Sequence, residues 1–441
     1  MFSFPSSALK IVNTLQGKGF KCYFVGGCIR DLMLNKQPKE WDITTDATPD
    51  QIDKLFKKVI PTGIEFGTVT VLLDEQTYEV TTFRKDERYT DGRHPSSVTF
   101  SKNLNEDLSR RDFTINAMAY DPKADEFVDN YNGTQDLKAK LIRTVGDPVE
   151  RFMEDGLRPL RACRFAAVLG FEIEKKTLEA IPKTLKIAEK VALERVHDEL
   201  VKMLASPKPS VGLDYMQKSG LMKLYTPELE SGIGVEQPPN YHKHDVYWHS
   251  LYSCDAAPAD NLTCRLAALL HDISKPACKV DLTFYNHDKV GAETTESILK
   301  RLKFSNNEIK AVSNLISNHM FDYKSAWSDA AVRRFIRRVG LENMGNLFLL
   351  RKADTKAMER EIDDSYLIEL KTRIDKIVAE ENALHIKDLK IDGKDIMNEL
   401  SIPPGPKVGE VLEFLLEKVL DEPELNTREK LLEMARGYQR I

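Results

Sequence analysis

Two glycines, an arginine and two alternating carboxylates occur within one short stretch of the chain. That stretch is YFVGGCIRDLMLNKQPKEWDITTDA, residues 23–47. Gly26 and Gly27 allow backbone amides to approach phosphates closely, and Arg30 offers several N–H groups that can clamp a phosphate. Glu40 and Asp42 offer the carboxylate oxygens that Mg²⁺ prefers in proteins. The combination predicts a binding site for a nucleoside triphosphate and its metal ion.

A third carboxylate, Glu79, lies in YEVTTF, which reads as a second strand. Residues i and i+2 of a strand face the same way, so Glu40 and Asp42 are predicted to project together from one strand. Three carboxylates on neighbouring strands suit phosphoryl transfer with two metal ions, which lie about 4 Å apart in such sites. The alternative is that Glu40 and Asp42 belong to a solvated strand face, with Trp41 packed against the sheet.

A base-reading pair is predicted on a later helix, which begins with Asp147 as its N-cap. Asp155 and Arg158 are three residues apart and would share a face of that helix, with a local kink at Pro159. The carboxylate only accepts hydrogen bonds and the guanidinium only donates them. Cytosine and adenine present an amino donor beside a ring-nitrogen acceptor, whereas uracil and guanine present the reverse. The pair therefore predicts acceptance of C and A; the alternative is a surface ion pair.

The elements that must position these residues fall into several domains, because 441 residues are too many for one core. Apolar strands such as CYFVGG, TVTVLL and YEVTTF alternate with turns up to about residue 140, and the remainder reads as helical. Breaks rich in Gly and Pro occur at 232–245 and 401–409. The predicted domains are 1–140, 141–231, 232–375 and 376–441.

Composition excludes several classes of protein. No apolar run is long enough to span a bilayer, so no membrane partner is expected, and the N-terminus does not read as a signal peptide. Six cysteines without a Cys-x-x-Cys pair favour reduced thiols in a cytoplasm and argue against a zinc ribbon. The net charge of −5 means that a polynucleotide partner would need a local basic surface.

Three motifs together resemble those of a known family. VGGCIRDLMLNKQPKEWDITTDATP resembles the signature of class II nucleotidyltransferases, which comprise tRNA CCA-adding enzymes and bacterial poly(A) polymerases. RRDFTINAMAY, from Arg110, and EDGLRPLRACRFAAVLGF, from Glu154, are similar to later motifs of this family and occur in its order. The resemblance covers most of the chain and implies an α+β fold. Its parts would be a polymerase-beta-type nucleotidyltransferase head with a mixed sheet, an all-α neck, an HD-like body and a tail.

The resemblance implies template-independent addition of the 3′-terminal CCA to tRNA from CTP and ATP, with release of pyrophosphate. The implied partners are the tRNA 3′ end and both nucleotides, and the implied cofactor is Mg²⁺; protein partners remain unknown. Arg111 would contact the nucleotide and Asn116 would help to hold the sugar, although paired arginines also fit a solvated basic face. The family usually has Asp where this chain has Glu40, so metal geometry or rate is expected to differ. The predicted nucleotide-binding residues are Gly26, Gly27, Arg30, Asp31, Arg110, Arg111, Asp112, Asn116, Asp155, Arg158, Arg161 and Arg164, and the predicted catalytic residues are Glu40, Asp42 and Glu79.

Narrower activities stay open at this stage, namely A addition alone or poly(A) synthesis. The polar segment 83–100 looks like a mobile loop of full length, whereas the resemblance implies a shortened loop in CC-adding enzymes. The chain lacks the arginine-rich segment typical of bacterial poly(A) polymerases. A catalytically silent RNA-binding protein is a third alternative, which the intact triphosphate clamp in the sequence disfavours.

A second metal site is indicated by the dipeptide His271-Asp272 in RLAALLHDISKP, with His249 upstream and His287 and Asp354 downstream. This pattern resembles an HD domain, a helical metal-dependent phosphohydrolase. The resemblance implies His249, His271, Asp272 and Asp354 as ligands, which suit Mn²⁺, Ni²⁺ or Fe²⁺. A body that keeps the HD helices but hydrolyses little is the alternative. An HD phosphohydrolase with a degenerate head is a second candidate function.

Arginines at helical spacing in AVRRFIRRVG, residues 331–340, are predicted either to meet RNA phosphates or to form a solvated face. The last segment, from residue 391, resembles the C-terminal part of bacterial CCA-adding enzymes, where the tRNA elbow rests.

Overall fold

The computed structural model describes residues 2–86, 98–239, 242–359, 363–380 and 383–438, and the chain divides into two compact units. The first unit extends to Glu230 and includes Arg301–Lys303. The second comprises Ser231–Lys300 and the chain from Phe304 onward. The predicted division into four domains stays a prediction.

Short strands and helices alternate in the amino-terminal part of the first unit. The strands of the described residues are β1 (Cys22–Val25), β2 (Asp42–Thr45), β3 (Val59–Gly63), β4 (Thr68–Leu73), β5 (Gln76–Thr82), β6 (Arg84–Asp86), β7 (Val98–Phe100), β8 (Ala119–Asp121), β9 (Glu126–Val128), β10 (Leu141–Ile142) and β11 (Glu172–Ile173). The helices of this unit are α1 (Ser6–Gly17), α2 (Gly27–Met33), α3 (Pro49–Asp53), α4 (Leu104–Ser109), α5 (Gly133–Ala139), α6 (Pro148–Glu154), α7 (Arg158–Leu169), α8 (Lys175–Ala180), α9 (Leu185–Ala188), α10 (Leu193–Leu204), α11 (Pro209–Ser219), α12 (Leu221–Tyr225) and α13 (Pro227–Glu230).

Seven of these strands form one mixed sheet in the order β3-β4-β5-β2-β1-β8-β9. Strand β2 runs parallel to β5 and antiparallel to β1, so it lies in the middle of the sheet. The predicted strands in CYFVGG, TVTVLL and YEVTTF are all present, as β1, β4 and β5. The sheet and the helices after it confirm the α+β class.

The strand predicted to carry Glu40 begins two residues later, at Asp42. Strand β1 pairs with β2 only as far as Phe24 opposite Ile43, and the chain then turns at Gly26 into α2. Residue 40 therefore has no strand beside it on the β1 side, and although β5 continues back to Gln76 on the other side, Glu40 lies exposed in the bend before β2. Trp41 packs on the rings of Phe4 and Phe24, 5.5 and 5.8 Å away between ring centroids, as predicted.

The single helix predicted after Asp147 is two helices, α6 and α7, with Asp155 in extended conformation between them. Asp155 and Arg158 therefore do not share a helix face, which corrects the prediction. Pro159 lies in the first turn of α7, where its missing N–H costs little, so it marks a new helix rather than a kink. The Asp147 side chain caps α6 by accepting the Glu150 N–H at 3.0 Å.

The second unit is built of helices in its described residues. They are α14 (Val246–Ala256), α15 (Leu262–Leu270), α16 (Lys275–Cys278), α17 (His287–Arg301, whose last residue is grouped with the first unit), α18 (Asn306–Asn318), α19 (Asp329–Val339), α20 (Met344–Ala357), α21 (Ser365–Ala379), α22 (Gly393–Leu400), α23 (Pro406–Asp421) and α24 (Arg428–Tyr438). Helix α15 packs against α14, α18 and α20 and is buried along almost its whole length. None of the described helices combines the length and hydropathy needed to cross a membrane.

Only the flanks of the predicted loop 83–100 belong to the described residues. They pair as the antiparallel strands β6 and β7. Residues 87–97, on which the prediction of a full-length loop depends, lie outside the described residues.

Candidate active site

Two of the three predicted carboxylates meet at the middle of the sheet. Asp42 and Glu79 are direct register partners on the parallel strands β2 and β5, so their side chains leave the same face. Burial raises the pKa of Asp42, and the nearby Glu40 carboxylate adds to the rise despite the opposing charge of Arg111. Partial desolvation, followed by the charges of Asp42 and Glu40, likewise raises the pKa of Glu79. The three carboxylates thus form a concentrated negative site that a divalent cation would neutralise.

The backbone beside this site is close enough that only glycine fits. Gly26 has φ +77°, and a Cβ there would lie 2.9 Å from Nη1 of Arg111 and 3.4 Å from Oδ2 of Asp42. The Gly-Gly turn therefore brings backbone, guanidinium and carboxylate into direct contact. The close approach of these backbone amides to a phosphate, which the glycine pair predicts, stays a prediction.

Arg111 forms an ion pair with a buried aspartate, and its Nε has no hydrogen-bond acceptor among the described residues. Its Nη2 lies 3.3 Å from Oδ2 of the buried Asp107, whose other oxygen accepts from Arg110. Although burial alone would raise it, these two guanidinium groups keep the pKa of Asp107 below its ordinary value. Among the described residues, nothing accepts a hydrogen bond from the buried Nε of Arg111. An anion beside Asp42 would supply that acceptor.

Arg30 is buried, and hydrogen bonds to neighbouring side chains fix the orientation of its guanidinium group. Its Nε and Nη2 donate to Oδ1 of Asp31 at 2.9 and 2.7 Å, and its Nη1 donates to Oδ1 of Asn116 at 2.8 Å. The Asn116 amide in turn donates to Oδ1 of Asp112 at 3.1 Å. Arg30, Asp31, Asn116 and Asp112 thus form one hydrogen-bonded chain. Their assignment to the nucleotide stays a prediction.

The chain of contacts continues into α7. Nε and Nη2 of Arg161 contact Oδ2 of Asp112 at 2.9 and 2.7 Å, and Arg164 donates to the buried Glu199 at 2.5 Å. Arg164 also lies over the Phe165 ring, 3.8 Å from its centroid. The structure therefore places Arg161 and Arg164 against internal partners. Their predicted contact with nucleotide stays a prediction.

Replacing Asp112 by asparagine is expected to destabilise the first unit by about 2 kcal/mol at pH 7, because it leaves the half-buried Arg161 with Glu199, 3.5 Å away, as its remaining ion-pair partner among the described residues. Burial would raise the pKa of Asp112, but Arg161 and then Asn116 hold it well below its ordinary value. The carboxylate therefore stabilises the fold above the unfolded pKa, near 4, and this contribution is lost as pH falls below it. The measurement is unfolding by denaturant at pH 7 and pH 3. The exposed turn variant Asp74→Asn serves as control, and a difference from the native chain that does not shrink at pH 3 would contradict the assignment.

The two residues predicted to read the base each have another partner. Oδ1 and Oδ2 of Asp155 accept from Arg195 at 3.2 and 2.9 Å, and Oδ1 also accepts the Leu157 N–H at 3.0 Å. Arg158 pairs with Glu154 and donates from Nη2 to the carbonyl oxygen of Arg110 at 3.0 Å. The alternative reading, an ion pair between Asp155 and Arg158, is therefore absent among these contacts, and each side chain is held separately.

An open groove connects the carboxylates to the Asp155 region. It has a volume of ≈ 830 Å³ and is lined by residues 61–66 and by Thr68, Glu79, Arg84 and Arg195. Glu79 is one of the three carboxylates predicted to bind a metal ion, and Arg195 is the partner of Asp155. A volume of this order accommodates a nucleotide-sized ligand.

In the second unit, the four predicted HD ligands converge in the buried core. Nε2 of His249 lies 3.0 Å from Oδ1 of Asp354 and 3.3 Å from Nε2 of His271, and the latter lies 3.2 Å from Oδ2 of Asp272. These four side chains come from α14, the end of α15 and α20, which pack together. The donor set of two imidazoles and two carboxylates fits a divalent transition metal. His319, buried nearby and not predicted as a ligand, has its pKa lowered to about 3 by burial and by His271.

The arginine stripe of α19 is engaged within the second unit. Arg334 and Arg337 form ion pairs with acidic residues of α23, and both contact Glu417. Arg333 donates to the carbonyl oxygen of Leu420 at 2.9 Å, and Arg338 donates to Asn318 at 2.9 Å. The stripe therefore joins α19 to its neighbours instead of forming a free phosphate-binding face.

Several residues of the site were not predicted from sequence. They are Asp107, Phe165, Arg195 and Glu199 in the first unit and His319 in the second. Only Asp107 carried a local signal, since it lies one helical turn before Arg110 and Arg111. The others reach their partners through tertiary packing.

Three family models match separate parts of the chain. A model described as the poly A polymerase head domain matches residues 22–143. A model described as the probable RNA- and SrmB-binding site of polymerase A matches residues 170–233, and one described as tRNA nucleotidyltransferase domain 2 matches residues 282–435.

Relatives match either nearly the whole chain or about half of it. The CCA-adding enzyme of Enterococcus faecalis is 34% identical over 434 residues, which are 97% of this chain and 95% of that enzyme. The CCA-adding enzyme of Lactobacillus helveticus is 50% identical over 200 residues, 45% of this chain and 50% of that enzyme. Among solved structures, the Bacillus stearothermophilus CCA-adding enzyme in complex with CTP has a TM-score of 0.76 at 27% identity, covering 98% of this chain and 97% of its own. The Thermotoga maritima CCA-adding enzyme complexed with tRNA-CCA shares the fold at 21% identity, with a TM-score of 0.55 and coverage of 98% and 94%.

Proposed function

The chain belongs to the family of CCA-adding enzymes, and we propose that the residues around Asp42 carry out nucleotide addition in its first unit. The enzyme is a tRNA nucleotidyltransferase that adds the 3′-terminal CCA from CTP and ATP. One observation carries the assignment of the site: Asp42 and Glu79 are register partners directly beside the Gly26 turn and Arg111. The two carboxylates, the Gly26 backbone and a guanidinium whose Nε has no acceptor among the described residues lie side by side. A triphosphate and its metal ion require this combination of groups.

Asp42 and Glu79, with Glu40 beside them, would hold the metal ion. The raised pKa values of Asp42 and Glu79 support this, because a cation would favour their ionised forms. The family is a nucleotidyltransferase family, and Mg²⁺ is the ion that we propose. When bound, such an ion polarises the phosphoryl oxygens and lowers the pKa of a coordinated hydroxyl.

Arg111 would bind the triphosphate through its free Nε, and Asp107 fixes the direction in which that group points. Arg30 and Asn116 would line the same place, already oriented by Asp31 and Asp112. Preorganised donors of this kind lower the cost of binding and of charge development during transfer. The 3′ hydroxyl of the tRNA attacks the α-phosphorus, and the bond to the pyrophosphate oxygen breaks.

Asp155 and Arg158 would select the base, each held by its own partner. The neighbouring groove, lined by Glu79 and Arg195, would admit the nucleotide. The charges of Asp155 and Arg158 fit the donor and acceptor shared by cytosine and adenine. No template is needed for this selection.

We also propose the four-part division 1–140, 141–231, 232–375 and 376–441, since the border between the compact units, at Glu230 and Ser231, lies beside the predicted end of the neck. In the second unit, His249, His271, Asp272 and Asp354 would hold a transition-metal ion, Mn²⁺, Ni²⁺ or Fe²⁺. A cytoplasmic location is consistent with six cysteines that all carry free thiols.

The test is nucleotide addition to tRNAs that end at the discriminator base, at C and at CC, each with Mg²⁺ and with CTP and ATP separately and together. We expect three additions ending in CCA on the shortest tRNA, resolved at single-nucleotide length. A single A added only to the CC-ending tRNA would replace the proposal with A addition alone. Long A tails would indicate poly(A) synthesis, and no addition would contradict the proposed site.

A further inference from the structure

The ring of Phe165, on helix α7, lies among three arginines. The Cζ atoms of Arg30, Arg161 and Arg164 lie 5.2, 5.5 and 3.8 Å from its centroid. All three distances fall within the range of about 6 Å over which the electron-rich face of an aromatic ring attracts a cation. Phe165 is 4% exposed, so solvent hardly weakens this attraction. One ring therefore stabilises three guanidinium groups.

These guanidinium groups need stabilisation because like charges are gathered in a buried place. Burial lowers the pKa of Arg164, and the charge of the nearby Arg161 lowers it further, although Glu199 opposes both effects. Carboxylates compensate part of the charge, since Asp112 pairs with Arg161 and Glu199 with Arg164. A carboxylate accepts hydrogen bonds from the N–H groups at the edge of a guanidinium, whereas an aromatic ring attracts its charge. The two kinds of contact are therefore compatible.

Of the three arginines, Arg30 is the one that lies beside the glycine turn. A Cβ at Gly27 would lie 3.6 Å from Nη2 and 3.9 Å from Nη1 of Arg30. Hydrogen bonds to Asp31 and Asn116 use three of its five N–H groups, so that Nη1 and Nη2 each keep one. The contact with Phe165 thus joins two spare donors at the turn to α7, the helix that also carries Arg158.

We propose that Phe165 is a positioning residue for the triphosphate, whose ring fixes the guanidinium of Arg30 so that its spare N–H groups meet the phosphates. The inference rests on the nucleotide site proposed above and adds to it a residue that contacts no nucleotide itself. Phosphates are common to CTP and ATP, so the ring acts equally on both. Because it improves binding of the triphosphate before and during transfer alike, it lowers KM and leaves kcat unchanged.

The test weakens the attraction of the ring while retaining its shape. Phe165 is replaced in the full-length chain by mono-, di- and trifluorinated phenylalanine, since each fluorine withdraws electron density from the face of the ring. We expect KM for CTP and for ATP to rise stepwise with the number of fluorine atoms, to about tenfold in the trifluorinated chain, at unchanged kcat. Pyrophosphate carries phosphates without a base, and its inhibition constant is expected to rise by the same factor. The preference for CTP over UTP is expected to stay at its native value.

The matched control is the same fluorination of Phe171, which follows the end of α7, is 5% exposed and has no arginine or lysine over its ring in the described part of the chain. It is expected to keep the native KM. Phe165→Leu, which removes the ring, is expected to raise KM at least as much as trifluorination, and thermal unfolding verifies that each variant folds.

Three results would overturn the inference: a KM that does not respond to fluorination of Phe165, a rise in KM that spares inhibition by pyrophosphate, or a fall in kcat at constant KM. Each would mean that the ring only packs, or acts elsewhere than at the phosphates. The native chain separates this inference from the proposed function. A native chain that adds no nucleotide would remove both, whereas an active native chain with any of these three results would overturn the inference alone.

Discussion

Replacing Asp42 by asparagine is expected to reduce nucleotide addition roughly a thousandfold, with CTP and ATP alike. Asp42 is the most buried of the three carboxylates, begins β2 at the centre of the sheet and faces Glu79 in register. An amide keeps the shape but removes the charge that would hold the metal ion. Loss of metal-assisted charge stabilisation is worth several kcal/mol, and about 4 kcal/mol corresponds to a thousandfold in rate.

The measurement is single-turnover addition of the first C to tRNA that ends at the discriminator base. Asp74→Asn is the matched control, since it makes the same substitution in the same sheet at an exposed turn with φ +51°, which asparagine tolerates. The control is expected to add C at the native rate. A rate for Asp42→Asn within tenfold of native would mean that Asp42 does not hold the metal. Unchanged thermal unfolding would exclude loss of fold as the cause of inactivity.

The parts of the site that lie within one strand or turn were predictable from sequence. Gly26, Asp42 and Glu79 depend on local chain geometry and on alternation along a strand, and the structure brings them together. Strands β1, β4 and β5 were recognisable because their apolar residues are bounded by turn residues. Trp41 was also predictable as a packing residue, because a large apolar ring beside a buried strand finds apolar neighbours.

The two wrong predictions have a common physical cause. Strand β2 lacks a partner on one side of Glu40 because β1 has already turned at Gly26, and it begins only at Asp42 even though β5 continues on the other side. A helix likewise ends where the chain leaves its repeating geometry, which Asp155 does with φ −138° and ψ 110°. Neither event is visible in residue spacing alone, because each depends on a partner or a dihedral angle set by tertiary structure.

Residues that act through distant partners were the hardest to predict. Arg195 reaches Asp155 across 40 positions of sequence, and Glu199 reaches Arg164 across 35. His319 follows α18 without any motif, and its relation to Asp272 emerges only when α15, α17 and α18 are packed. His287 was recognised in the sequence beside the His-Asp dipeptide, but its contact with His319 could not be predicted from the sequence.

Asp155 and Arg158 have hydrogen-bonding positions that their contacts within the described residues do not use. These positions match the amino group and ring nitrogen on one edge of cytosine and of adenine. A carboxylate has about four lone-pair positions, and Arg195 and the Leu157 N–H use three of those on Asp155, leaving one on Oδ2. Of the five N–H groups of Arg158, contacts with Arg151, Glu154 and Arg110 use three. One acceptor and spare donors therefore remain, as the amino group and ring nitrogen of cytosine or adenine require. Arg195 and Glu154 fix the direction of both groups.

Asp155→Asn is accordingly expected to lower the preference for CTP over UTP, and for ATP over GTP, roughly a hundredfold, because an amide can donate to the carbonyl that a carboxylate repels. Leaving one buried polar group unpaired costs a few kcal/mol, which is a factor of this size. The measurement is kcat/KM for each nucleotide, on tRNA ending at the discriminator base for CTP and UTP and on CC-ending tRNA for ATP and GTP. Asp214→Asn, which breaks a surface pair with Lys218 in the same unit, is expected to leave both ratios unchanged. Ratios within threefold of native in Asp155→Asn would assign Asp155 to holding Arg195 alone and would place base selection on other residues.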